Sequence, residues 1–127
     1  MIWLVTGTRF GRPDVEYWLD LAAKTEGVPL SLVAGDDAGV DTQARNWAEA
    51  RGVQPEQFFA DWDTYGLAAG PRRNSAMVAY VQECSRLRRC AVRCFGFPKG
   101  LSKGTRDCLR KARAAGFPTV EYPEPAT

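Results

Sequence analysis

Five short apolar runs alternate with four amphipathic segments along the chain, and turns rich in glycine and polar residues separate them. Apolar runs of this length are typical of buried strands, which we predict at residues 2–5, 30–34, 58–60, 91–97 and 117–122. Between them, apolar residues recur at spacings of three and four, as on one face of a helix. We predict helices from Pro13 to Gly27, from Val40 to Gly52, from Pro71 as a first position, and over residues 103–115.

This alternation predicts an α/β fold, with a single Rossmann-like, doubly wound parallel sheet and helices on both faces. Right-handed crossovers make 3-2-1-4-5 the order most compatible with five strands and four main helices. One domain then accounts for residues 1–122, and residues 123–127 are predicted to form a frayed tail. Ligands of such sheets bind beyond the carboxyl ends of the strands, where strands one and four diverge.

Composition and charge narrow the functional classes. The 127 residues carry a net charge of +2, from 17 basic and 15 acidic side chains, which does not favour nucleic acid as a partner. No segment approaches the roughly 18–20 apolar residues that cross a bilayer, and the N-terminus does not resemble a secretory signal. We therefore expect a cytoplasmic protein, in the host cytoplasm if it is phage-encoded, with no membrane partner.

Four cysteines are present without a C-x-x-C pair, and the chain has no histidine. The pattern predicts reduced, mostly buried thiols and neither a metal nor another cofactor. Any acid–base chemistry must therefore come from carboxylates, arginine, hydroxyls or thiols. A late basic cluster, Arg86 to Arg93, is interpreted as a solvated face at a helix end.

Glycines, hydroxyls and arginines follow four of the predicted strands and should meet at one sheet edge. The candidate ligand-binding residues are Gly7, Thr8, Arg9, Gly35, Gly39, Asp41, Trp62, Gly70, Arg73, Asn74, Ser102, Gly104 and Thr105. Glycines let backbone amides approach a ligand, and helix N-termini direct positive dipole ends towards it. The pattern thus favours an anion site, with Arg73 supplying a charged fork. Tight strand-to-helix turns require similar residues, and neither standard phosphate motif occurs.

Several of these side chains have two interpretations. Asp41, in the first turn of the second helix, either stabilises that helix end or binds a ribose hydroxyl. Trp62 either covers the core or offers a stacking surface to a base. Asp36 and Asp37 are interpreted as solvated turn residues. Arg73 is predicted to share the inward face of the third main helix, towards the crevice.

Four segments occur in order from Val5 to about Ala115: VTGTR, AGDDAGVDTQARNWA, ADWDTYGLAAGPRRNSAM and FPKGLSKGTRD. As a set they resemble the YspA/YpsA-related branch of the SLOG superfamily. That branch shows G-S-R, then G-x-x-x-G-x-D-x-x-A-x-x-W-A, A-D-W, A-G-x-x-R-N-x-x-M and G-T-x-D. The resemblance implies a bacterial or phage protein with a Rossmann-like fold that senses or sequesters a nucleotide or an ADP-ribose-type molecule. A homo-oligomer is compatible with it.

The same superfamily contains phosphoribohydrolases that cleave the N-glycosidic bond of nucleoside monophosphates. They use an arginine in an R-K-x-x-M-like segment and a glutamate in P-G-G-x-G-T-x-x-E. Arg73 matches that arginine, whereas the glutamate position is Cys108 and Asp107 lies one residue earlier, about 100° around the helix. The alternative expectation is therefore a nucleoside-monophosphate N-glycosidase, in which Arg73 and Asp41 would be catalytic.

Overall fold

Five parallel strands form one sheet in a computed structural model that describes residues 1–125. The strands are β1 (Ile2–Gly7), β2 (Ser31–Ala34), β3 (Gln54–Gln57), β4 (Val92–Phe97) and β5 (Thr119–Glu121). Their order is β3-β2-β1-β4-β5, and each neighbouring pair is parallel. The predicted α/β fold and strand order are confirmed.

Helices cover both faces of this sheet. They are α1 (Val15–Glu26), α2 (Val40–Ala50), the single turn α3 (Trp62–Tyr65), α4 (Ala69–Arg88) and α5 (Lys103–Ala114). Helices α1 and α2 pack with Trp3 and Phe95 in one apolar cluster, and α4 and α5 pack with Leu4 in a second. The four predicted main helices are confirmed, and within residues 1–125 no helix is long and apolar enough to cross a membrane.

The third strand lies at Gln54–Gln57 and not at residues 58–60 as predicted. It is a polar edge strand held by backbone pairing with β2, and an edge tolerates Pro55 within it. Phe58 instead packs against the ring of Tyr80 at 5.2 Å, while Phe59 is 72% exposed. The prediction was wrong because Phe58 and Phe59 follow the strand and do not form it.

Helix α4 begins at Ala69, two residues before Pro71, because a single turn and a 3-10 turn lead into it. Arg72 and Arg73 consequently occupy the fourth and fifth helical positions and not the predicted first turn. The helix dipole acts mainly on the first turn, so its repulsion of these cations is reduced. Arg72 lies over the ring of Tyr65 at 3.9 Å, which gives it a cation–π partner at the surface.

The cysteines and the C-terminal segment are the last features for which the sequence made predictions. The four cysteines are free thiols, with Cys94 and Cys108 buried and the other two half-buried. At the predicted tail, the carbonyl oxygen of Pro123 accepts a hydrogen bond from Arg12 at 2.7 Å. Residues 126 and 127 of that tail lie outside the described residues.

Candidate functional site

A crevice of about 870 Å³ opens beyond the carboxyl ends of the strands. The loops after β1, β2 and β4 line it, together with the segment that leads into α4. Most predicted ligand residues meet here: Gly7, Thr8, Arg9, Asp41, Trp62, Gly70, Arg73, Ser102, Gly104 and Thr105. The switch between β1 and β4 is where open α/β sheets place their ligands.

The remaining three predicted residues, Gly35, Gly39 and Asn74, do not line the crevice. A Cβ at Gly35 would lie 2.6 Å from Asp41 Oδ2 and would also meet the Arg73 guanidinium, so a side chain here would displace both. A Cβ at Gly39 would run into the backbone of the β1–α1 loop. These two glycines therefore serve close packing behind the site.

Asn74 is buried and joins the two helices on its side of the sheet. Its amide nitrogen donates to the Gly104 carbonyl and to Asp107 Oδ2, both at 3.1 Å, and its oxygen accepts from Arg73 Nε at 3.0 Å. The side chain thus fixes Arg73 relative to the first turn of α5.

The N-terminus of α5 opens into the crevice without a side-chain cap among the described residues. Ser102 occupies the capping position with φ 43°, but its hydroxyl donates to Thr105 Oγ1 at 2.8 Å. Gly104 is exposed, and a Cβ added there would meet nothing within 4 Å. Lys99 and Lys103 line the same part of the crevice. Helix amides left free in this way attract anions.

Arg73 is held by Asp36, which contradicts the interpretation of Asp36 as a solvated turn residue. The two side chains form an ion pair at 2.8 Å and are only 12% and 21% exposed. Asp36 also accepts from the Ala60 amide at 3.4 Å. The partners are 37 positions apart, which is why no local pattern identified them. Half-buried Asp37 accepts from the Gly39 amide at 3.0 Å and lines the crevice.

Asp41 is buried against the crevice, with 3% of its surface exposed. It makes no capping hydrogen bond to α2, and its Oδ2 accepts from the Asp37 amide at 3.3 Å. Burial and the neighbouring charge of Asp37 raise the pKa of Asp41 to about 8, against the opposing charge of Arg73. This shift favours the protonated form of Asp41 at neutral pH, and its role as a helix cap is not borne out.

Asp107 also lines the crevice, but its pKa is lowered where that of Asp41 is raised. Burial favours its neutral form, yet hydrogen bonds from Lys111 and Asn74 and the charges of Lys111 and Arg110 outweigh it and lower its pKa. At the next position, burial raises the pKa of the Cys108 thiol to about 12. Cys108 is therefore an unreactive core residue, and Asp107 is the carboxylate that α5 presents.

Sequence reasoning missed two large, exposed apolar residues and two lysines of the lining: Phe10, Leu67, Lys99 and Lys103. Phe10 is 73% and Leu67 94% exposed. Large apolar residues inside predicted loops were the available signal for both. Trp62 is 55% exposed, so it does not cover the core and its surface is open to a ligand.

Comparison with known proteins finds a relative that is encoded by a phage. No protein-family model matches it. Over 126 residues it is 36% identical to the Gene 61 protein of Mycobacterium phage D29, and the match covers 94% of each chain. At this identity, sustained over almost the whole length, the chain belongs to the same protein family as the phage Gene 61 protein.

Proposed function

We propose that this protein binds a nucleotide or a nucleotide-derived ligand such as an ADP-ribose-type molecule, in order to sense or sequester it. The observation that carries the proposal is the uncapped N-terminus of α5, which opens into the crevice beside Lys99 and Lys103. Free helix amides and a positive dipole end bind phosphate well. The motifs that resemble the YspA/YpsA-related branch of the SLOG superfamily support the same ligand class, and we propose that relation as well.

In this proposal the phosphate lies at α5 and the sugar lies towards Asp41. Because Asp36 already offsets the charge of Arg73, the arginine is a weaker anion site than the helix end. Its Nη2 atom makes no hydrogen bond among the described residues and would meet a second ligand oxygen. The carboxyl group of Asp41, protonated at neutral pH, can both donate to and accept from a ribose hydroxyl.

Replacing Gly104 with aspartate is expected to weaken phosphate binding strongly while leaving the fold intact. The carboxylate would stand in the first turn of α5, where the dipole favours it by about 0.3–1 kcal/mol. The same negative charge would repel a phosphate at the helix amides. Calorimetric titration with adenosine 5′-monophosphate (AMP) and with ADP-ribose should show at least about a tenfold loss of affinity, with an unchanged or higher melting temperature.

Gly104→Asn is the matched control, because asparagine has the shape of aspartate without its charge. Its affinity should stay within about threefold of the wild-type value. If Gly104→Asp binds both ligands as tightly as the wild type does, the phosphate does not lie at α5. If the wild type binds neither ligand, the proposed function is wrong.

A second function, N-glycosidic hydrolysis of nucleoside monophosphates, is favoured by the contrast between two carboxyl groups of the crevice. Asp41 carries a proton at neutral pH and Asp107 does not, and environments that push two pKa values apart assign an acid and a base. As the glycosidic bond breaks, Asp41 would protonate the departing base, and Asp107 would stabilise the positive charge that develops on the sugar. A water molecule would then add to the anomeric carbon and return a proton to Asp41.

Chromatographic detection of free base tests this second function on a panel of nucleoside monophosphates. We expect Asp41→Asn to lower the rate of base release by a factor of about 100 or more, since a general acid contributes about that much. Asp63→Asn, which changes an exposed carboxylate outside the crevice lining, should leave the rate unchanged. If the nucleotides bind but no base is released, the second function is wrong and the binding function remains.

A further inference from the structure

Three large apolar side chains are exposed around the crevice. Phe10, Trp62 and Leu67 are 73%, 55% and 94% exposed, and all three line it. Single exposed apolar residues are common on protein surfaces, but several in one concave site mark a place where a ligand is covered. The proposed phosphate site accounts for none of the three.

These side chains belong to opposite walls of the crevice. Phe10 follows β1 on the way to α1, which packs on one face of the sheet. Trp62 and Leu67 precede α4, which packs on the other face. The two aromatic side chains therefore come from segments on opposite sides of the sheet, and both line the one crevice.

Each of the two rings makes a contact with a nearby residue. The Arg9 guanidinium lies over the Phe10 ring at 5.0 Å. The Trp62 indole rests on the start of α4, where a Cβ at Gly70 would lie 3.4 Å from Trp62 Cη2. The capping aspartate of α3, Asp61, accepts from the Thr64 amide at 3.1 Å and fixes the turn that carries the indole. A stacking surface that is already ordered loses little entropy on binding.

We infer that Phe10 and Trp62 clamp the nucleobase of the ligand, so that the protein selects nucleotides over sugar phosphates and prefers purines to pyrimidines. This inference rests on the proposed function. Stacking on an aromatic side chain accepts any base, and a larger ring system gains more contact area. Leu67 extends the apolar surface on the Trp62 side.

Calorimetric titration with four probes tests the clamp: AMP, cytidine 5′-monophosphate, ribose 5-phosphate and inorganic phosphate. The wild type should bind AMP at least about tenfold more tightly than ribose 5-phosphate and several-fold more tightly than the cytidine nucleotide. Trp62→Ala should remove most of the AMP advantage without changing the affinity for ribose 5-phosphate. Trp62→Phe should restore it in large part, because phenylalanine keeps an aromatic face.

Phe59→Ala is the matched control, since Phe59 is 72% exposed but does not line the crevice. It should leave all four affinities unchanged, and Phe10→Ala should repeat the loss seen at Trp62 from the other wall. Equal wild-type affinity for AMP and ribose 5-phosphate would overturn the clamp and leave the proposed function standing. So would a ligand-independent dimer of the wild type in sedimentation that Trp62→Ala converts to a monomer. Binding of none of the four probes would overturn the clamp, and failure of ADP-ribose to bind as well would overturn the proposed function.

Discussion

Replacing Arg12 with methionine is expected to lower the free energy of unfolding by about 3–5 kcal/mol, as removal of one partner from a buried ion pair does. The Arg12 side chain is 1% exposed, and all five of its N–H donors are used. Two bind the Asp14 carboxylate at 3.0 and 2.5 Å. The other three bind the carbonyl oxygens of Pro98, Tyr122 and Pro123 at 3.0, 2.7 and 2.7 Å.

The loss is large because four groups lose their partner at once. Burial alone would raise the pKa of Asp14, but the hydrogen bond and charge of Arg12 outweigh it and hold that pKa below its usual value. Without Arg12, Asp14 remains partly buried with its charge unpaired, and unsatisfied carbonyl groups add to the cost. Arg12 thus ties the β1–α1 loop to the end of β4 and to the end of β5.

Urea denaturation followed by circular dichroism measures this effect. Arg9→Met is the matched control, because Arg9 belongs to the same loop but is exposed, and its change should stay within about 0.5 kcal/mol. Arg12→Lys should recover only a minor part of the loss, since an ammonium group cannot reproduce the planar fork. A loss at Arg12→Met no larger than at Arg9→Met would show that the network contributes nothing to stability.

The fold was predictable because a parallel sheet leaves a strong local signature. Strands β1, β2 and β4 are buried on both faces, so each appears in the sequence as a short apolar run. Strand β3 lacks that signature. Its four residues, Gln54 to Gln57, are polar or proline and are ordered by pairing with β2 across a distance in sequence that no periodicity records. Because β3 has no apolar run, the sequence placed the third strand at the neighbouring apolar residues 58–60.

The position of the site could be predicted, because it depends on where the backbone places the loops. The ion pairs and hydrogen bonds between its side chains could not. Glycines and hydroxyls after each strand identified the crevice, since topology alone brings those loops together. The Asp36–Arg73 pair and the Arg12 network join positions 37 and up to 111 residues apart. The side chain of Gln43 illustrates the same limit, because its amide makes two hydrogen bonds to the backbone of Arg12. No spacing in the sequence relates such partners.

Asp41 is expected to make the protein progressively less stable as the pH rises from about 4 to about 8. Its pKa is about 8 in the folded protein against an ordinary value of 3.8, because the site is buried and Asp37 adds like charge. Between these values the folded state holds a proton that the unfolded state has released. The contribution of Asp41 is therefore fully present below pH 3.8 and is lost as the pH rises through 8, by up to about 1.4 kcal/mol per pH unit.

Asp41→Asn removes this titration and keeps the shape of the side chain. The variant should match the wild type near pH 4 and become the more stable protein by pH 8, as measured by urea denaturation at several pH values. Asp14 and Asp107 have lowered pKa values, so their contributions are lost only as the pH falls below the ordinary range, outside this window. Asp63→Asn, at an exposed position of α3, should show no such divergence. A difference between Asp41→Asn and wild type that stays constant from pH 4 to pH 8 would mean that Asp41 is ionised in the folded protein, and the proton assigned to it at neutral pH would be absent.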